Sequence, residues 1–217
     1  MKRGAIFDMD GTLFDTEKLY RQAWLDVAEE FGEERNYELP TAISGTNIGA
    51  ESHAVIKRFY PNIDAEAYLA RVLEEVQACA ERNLELMTGV KEILAFFKAA
   101  GVRMAVASSA PVEVIKKNVT RANLRDYFEA LVGGDKVTNG KPAPDIFLLA
   151  AEELNLPASD CYIFEDSFNG IRAAQASGGV AIMIPDQVQP TDEIKKLCAA
   201  IFPNLNEAML AIKEGRL

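Results

Sequence analysis

The sequence predicts an α/β fold, a parallel sheet covered on both faces by helices and interrupted early by an all-helical insert. Three observations carry that prediction. Short apolar runs of strand length recur at residues 4–8, 102–108, 130–133, 161–165 and 180–184, with Ala200-Ile201-Phe202 a candidate sixth. Helical patterns fill the spaces between them, and residues 17–86 carry amphipathic stripes with no convincing strand. Strands that alternate with helices imply a parallel sheet whose crossover helices cover both faces.

The first run, Ala5-Ile6-Phe7, suits a half-buried strand, and it leads into Asp8-Met9-Asp10-Gly11-Thr12. In extended chain, alternate side chains share a side, so Asp8 and Asp10 can face one way. Gly11 permits a sharp turn where the strand ends. Paired carboxylates at a strand tip can hold a divalent cation, or divide a reaction between nucleophile and acid/base. The same residues also read as an ordinary acidic turn.

The insert follows. Leu19-Ala23-Trp24-Val27-Phe31, Val55-Ile56-Phe59 and Tyr68-Leu69-Val72-Leu73-Val76 each form an apolar stripe at helical spacing. This gives a core of residues 1–15 and 84–217 and a helical cap of residues 16–83. An insert leaving the carboxyl end of a strand stands where open α/β sheets bind ligands, which makes the cap a candidate lid. In the core, Val90-Ile93-Leu94-Phe97 has core-face spacing and ends at Gly101. Ile146-Leu149-Ala150-Leu154 follows Pro142 and Pro144, residues that suit a helix start.

Composition narrows the function. The chain has 217 residues and is 49% hydrophobic, enough to bury a sizeable core. Its longest apolar stretches are too short to span a bilayer. Met1-Lys2-Arg3 runs straight into the first strand, so no signal peptide is expected. Cys79, Cys161 and Cys198 lack C-x-x-C spacing and read as reduced packing thiols in a cytoplasmic protein. The single histidine, His53, excludes a multi-histidine metal site and argues against a Ser-His triad. A net charge of −10 argues against binding nucleic acid or anionic membranes. A site for an anionic substrate must therefore supply its own positive charge, as a metal ion with one or two placed cations would.

The polar residues at the ends of the expected strands form a set. Asp8 and Asp10 end the first, Ser108-Ser109 the second, and Glu165-Asp166-Ser167 the fourth. Lys141, in Gly140-Lys141-Pro142-Ala143-Pro144-Asp145, precedes a helix whose N-terminus attracts anions. Singly these are a cap, a loop lysine and acidic turns. Together they offer a nucleophile, an anion clamp and a metal site.

In type, order and spacing, these residues resemble the haloacid dehalogenase superfamily in its phosphatase branch. Asp8-Met9-Asp10-Gly11-Thr12 is similar to that family's first motif, Ser108 to its second, Lys141 to its third and Glu165-Asp166 to its fourth. The segments Lys141–Phe147 and Phe164–Ile171 look like the β-phosphoglucomutase-like subgroup. The resemblance implies a Rossmann-like sheet of order 3-2-1-4-5, with room for a sixth strand, and an inserted all-α cap. It implies Asp8 as nucleophile, forming an aspartyl-phosphate, and Asp10 as the acid that protonates the leaving alcohol and then activates water. It implies Mg2+ held by the Asp8 carboxylate, the Asp10 backbone carbonyl and Asp166. Glu165 would lie in or near the metal's outer shell. Ser108, Ser109 and Lys141 would bind the transferring phosphoryl.

The implied partner is a small phosphorylated metabolite, a sugar phosphate before a nucleotide or an acid, with no nucleic acid and no membrane. The chain is expected to act as a monomer or weak homodimer. Tyr20, Thr46 and Asn47 are the cap residues placed to meet the leaving group, although Tyr20 and Trp24 also read as cap core. The mutase subgroup carries a histidine where this chain has Tyr20, and an arginine near Ile48. These departures favour hydrolysis over phosphoryl return to the sugar.

Overall fold

The computed structural model describes the whole chain except residues 44–49, 83 and 187–188. The chain divides into two compact units, Met1–Asp15 with Glu85–Leu217, and Thr16–Leu84.

The core unit opens with β1 (Gly4–Phe7), and the cap unit then carries α1 (Thr16–Glu30), α2 (Leu39–Ile43), α3 (Ala50–Phe59) and α4 (Ala65–Arg82). The core resumes with α5 (Val90–Ala99), β2 (Arg103–Ser108), α6 (Val112–Arg121), β3 (Ala130–Gly133) and α7 (Asp145–Glu153). It ends with β4 (Cys161–Glu165), α8 (Phe168–Ala176), β5 (Val180–Met183), α9 (Asp192–Leu197), β6 (Ala200–Ile201) and α10 (Leu205–Lys213). All strand pairs are parallel, in the order β3-β2-β1-β4-β5-β6. The expected order holds, and Ala200-Ile201 forms the sixth strand at the edge beside β5.

The strand interiors are apolar because both faces of the sheet are covered, with polar residues such as Ser108 and Glu165 at the ends. Ile6, Ala105, Ala107, Val132, Ile163 and Ala181 pack on one face with Ile146, Phe147 and Ala150 of α7 and Ile171 and Ala174 of α8. On the opposite face Phe7 stacks on Phe164, with ring centroids 4.7 Å apart, and Phe97 of α5 leans on both at 6.3 and 6.1 Å. The alternation of Ile6 and Phe7 between these layers is the period of an extended strand. β1 and β4 align residue for residue, from Gly4↔Cys161 to Phe7↔Phe164.

In the cap unit, Tyr68 of α4 is fully buried and donates its hydroxyl to the Trp24 carbonyl of α1 at 2.7 Å. Trp24, Tyr60 and Phe31 surround its ring at centroid distances of 5.6, 5.8 and 5.4 Å. Trp24 is thus a core aromatic of the cap, and Tyr20 packs, partly buried, against the same cluster. Thr46 and Asn47 lie outside the described residues. Among the described residues, no helix is long and apolar enough to cross a membrane.

Candidate active site

Asp8 is the first residue beyond β1, and its N–H donates to the Phe164 carbonyl at 2.9 Å, extending the β1–β4 ladder by one rung. The chain then folds back on itself. The Met9 carbonyl accepts from the N–H groups of Leu13 and Phe14, and the Gly11 N–H donates to Phe14 at 2.9 Å. That loop requires Gly11 at φ 76°, a left-handed conformation that costs other residues strain. Gly11 is also pressed against Asp166, whose carboxylate occupies the space that a β-carbon would need. Met9 points away from the two aspartates into the interior, where the buried Asn118 amide donates to its sulfur at 3.7 Å.

β2 ends at Ser108, which is buried, with its Oγ 3.4 Å from Asp10 Oδ2. The same hydroxyl accepts the Ala110 N–H at 3.1 Å, which fixes its position at the strand tip. Ser109 is exposed beside it.

Lys141 reaches the site from the loop before α7. Its ammonium lies 2.5 Å from Asp8 Oδ1 and 2.6 Å from Glu165 Oε1, with the side chain 8% exposed. Glu165 closes β4 and is buried. Its second oxygen accepts the Ser167 N–H at 2.7 Å and the Ser167 hydroxyl at 2.9 Å. Ser167 is the N-cap of α8 and accepts the Gly170 N–H at 3.0 Å. A β-carbon on Gly170 would overlap the Glu165 carboxylate, so the glycine makes room for the buried acid.

Asp8, Glu165 and Asp166 each offer a carboxylate oxygen, and these atoms lie within 4.8 Å of one another. One ammonium faces three acids there. Burial pushes Asp8 up to about 8, with Glu165 and Asp10 adding to the rise and Lys141 opposing it. Asp166 is driven well above the usual carboxylate range by burial and by the negative charge of Glu165 and Asp8. The pull of Asp8 and Glu165 outweighs burial at Lys141, whose ammonium is held more firmly protonated than usual. An all-oxygen donor set with uncompensated negative charge fits a hard divalent cation such as Mg2+.

The structure therefore brings Asp8, Asp10, Ser108, Lys141, Glu165 and Asp166 to the carboxyl ends of β1, β2 and β4. Glu165, expected in or near the metal's outer shell, sits within the carboxylate cluster itself, tied to Lys141 and Ser167. The Asp10 side chain reaches Ser108, with Oδ2 3.4 Å from the hydroxyl. Sequence reasoning did not single out Ser167, Gly170, Asn118 or the ring of Phe147 as supports. Ser167-x-x-Gly170 ahead of an apolar helix was a legible cap, but its tie to Glu165 was not.

The chain matches the model of the haloacid dehalogenase-like hydrolases over residues 5–184. It is 36% identical over 173 residues to a phosphorylated carbohydrates phosphatase of Thermotoga maritima, covering 80% of each chain. It is 33% identical over 180 residues to the fructose-1-phosphate phosphatase of Escherichia coli, covering 82% of this chain and 94% of that one. A Thermotoga maritima crystal structure assigned as a β-phosphoglucomutase superposes with a TM-score of 0.84 at 32% identity, covering 99% of both chains. With its sheet order, its acidic cluster and these relatives, the chain belongs to the haloacid dehalogenase-like hydrolases, in their phosphatase subgroup, as a phosphoric monoester hydrolase.

Proposed function

We propose that the chain is a Mg2+-dependent phosphatase that hydrolyses a small phosphomonoester, a sugar phosphate or similar metabolite, through a covalent aspartyl-phosphate on Asp8. The observation that carries this reading is the meeting of Asp8, Lys141, Glu165 and Asp166 at adjacent strand ends. Phosphoryl transfer demands placement and charge neutralisation more than elaborate covalent chemistry. An Asp8 carboxylate oxygen attacks phosphorus in line, and the bond from phosphorus to the substrate oxygen breaks. Asp10 gives its proton to that oxygen. Asp10, now a carboxylate, takes a proton from water, which attacks the phosphoryl group, frees phosphate and restores Asp8. Ser108, Ser109 and Lys141 bind the phosphoryl oxygens during both steps. The carboxylates of Asp8 and Asp166 and the Asp10 carbonyl would hold Mg2+, with Glu165 beside them, and the ion supplies positive charge against the phosphoryl oxygens and the crowded acids.

The relatives named for phosphorylated carbohydrates and fructose 1-phosphate support a sugar phosphate as substrate. A phosphomutase is the competing reading, since one similar structure is assigned as a β-phosphoglucomutase. A mutase must hold a second phosphate in its cap. Here Lys57 donates to the carbonyls of Pro61 and Ile63, and Arg58 lies 4.9 Å over the Phe59 ring, so both cations have partners within the cap. Tyr20 stands where the mutase subgroup carries a histidine.

A panel of phosphorylated metabolites, read by phosphate release, tests the reading. β-Glucose 1-phosphate with its bisphosphate is scored separately for isomerisation. Release from at least one sugar phosphate is expected, abolished by EDTA, restored by Mg2+ and absent from Asp8→Asn. Turnover that survives excess chelator, or isomerisation faster than release, overturns it.

A further inference from the structure

We propose that the face of the Phe147 ring is a third ligand of the Lys141 ammonium, making Phe147 a positioning residue for the phosphoryl clamp. The ammonium nitrogen lies 4.9 Å from the ring centroid, within the range of a cation–π contact. An ammonium has three N–H groups to direct. Asp8 and Glu165 take two at 2.5 and 2.6 Å, and the ring covers a third side.

The ring cannot drift from that position. Phe147 lies in the first turn of α7, is fully buried, and packs in the cluster that holds Ile6, Ala105 and Ile163 of the central strands. The chain between them is short and constrained. The Ala143 N–H bonds to Gly140, and the Phe147 N–H to Pro144, each at 3.0 Å, so the loop folds Lys141 back over the start of its own helix.

The chemistry gives such a contact a purpose. During transfer the phosphoryl oxygens draw on the same ammonium that Asp8 and Glu165 hold. A third carboxylate would hold the ammonium in place but would also neutralise it and repel the phosphoryl group. A quadrupole holds a cation without adding net charge, which leaves the ammonium charge available to the phosphoryl oxygens. The kinetic part of this inference rests on the phosphatase reading, whereas the contact itself does not.

The test replaces Phe147 with 4-fluoro-, 3,5-difluoro- and 3,4,5-trifluorophenylalanine. Fluorination drains the ring face while nearly keeping its shape. Phosphate release from the best substrate of the panel is measured with Mg2+, alongside thermal unfolding without substrate, and the series is repeated in Lys141→Met. We expect kcat/KM to fall stepwise with fluorine number, by about three- to tenfold at trifluoro, mostly in kcat. The melting temperature should fall in step with Lys141 present and lose that trend in Lys141→Met. A kcat/KM that ignores fluorine number, or the same melting trend in both backgrounds, overturns the proposal. If no substrate yields phosphate, the phosphatase reading fails while the paired melting series still decides the contact. If Lys141→Met does not fold, the fluorine dependence of kcat/KM decides alone.

Discussion

Gly11 and Asp166 touch so closely that the Asp166 carboxylate occupies the space of a β-carbon on Gly11. The loop that carries Asp8 and Asp10 and the strand end that carries Asp166 are thus fitted to one another through a missing side chain. Gly11→Ala should be doubly penalised, by its φ of 76° and by collision with the carboxylate. The expected loss of stability is about 1–3 kcal/mol. Mg2+ binding should weaken as Asp166 is displaced, and thermal unfolding with and without Mg2+ checks both. A variant with parental Mg2+ affinity would contradict the assignment of Asp166 to the metal.

An Asp10 carboxylate oxygen lies 3.4 Å from the Ser108 hydroxyl, close beside the phosphoryl clamp. Asp10→Asn should therefore slow phosphate release according to how badly the departing oxygen needs a proton. The loss should be about 100-fold or more for a sugar phosphate, and much smaller for p-nitrophenyl phosphate, whose phenolate leaves unaided. Equal losses on the two substrates would remove Asp10 from that role.

The raised carboxyls set a pH dependence in the metal-free protein. Asp8 titrates near 3.8 when unfolded and is pushed up to about 8 when folded, and Asp166 shifts the same way. Between these limits the folded state binds more protons than the unfolded one, so stability falls as pH rises through the window. Mg2+ binding must displace those protons. The melting temperature without Mg2+ should drop from pH 5 to pH 8, and the rise on adding Mg2+ should be larger at pH 8 than at pH 6. Calorimetry in buffers of different ionisation enthalpy should show proton release near pH 7. A melting temperature that climbs with pH in the absence of metal would refute the charge balance described for the cluster.

Ser167 joins two tasks, capping α8 and holding Glu165. Ser167→Ala should cost about 1–2 kcal/mol in stability from the lost cap. It should also lower kcat, because Glu165 then holds Lys141 less firmly. Ser167→Thr keeps the hydroxyl and should recover most of the stability and rate. Restored stability without restored rate would separate the cap from the site.

Much of this was legible beforehand because it is written locally. The strands of the sheet show as apolar runs, since strands covered on both faces have no polar alternation to hide them, and even Ala200-Ile201 was readable as part of a candidate sixth strand. Asp8, Asp10, Ser108 and Asp166 stood out because polar residues at strand tips are conspicuous after apolar runs, and Lys141 because it precedes a helix start. The supports were not legible. Glu165 was singled out beside the metal, but only the fold reveals it as buried and paired with Lys141 at 2.6 Å. Phe147 looked like one more core aromatic, and Asn118 like a polar residue on a helix. Asn118 meets Met9 across 109 residues of chain, and Phe147 meets Lys141 only because the loop folds back on its helix, neither of which a local pattern encodes. Of the cap residues, Tyr20 packs against the cap core, whereas Thr46 and Asn47 lie outside the described residues.

The matched rungs of β1 and β4, from Gly4↔Cys161 to Phe7↔Phe164, act as a ruler for the chemistry. Counting one step past the last rung sets Asp8 beside Glu165 with no further adjustment. A single-residue insertion or deletion inside either strand would turn its terminal acid to the opposite side of the sheet. The crossover between β1 and β2, by contrast, already carries the whole of Thr16–Leu84 without disturbing the count. Length can therefore change between the rungs but not along them, so the crossovers can grow while the acids at the strand ends keep their spacing.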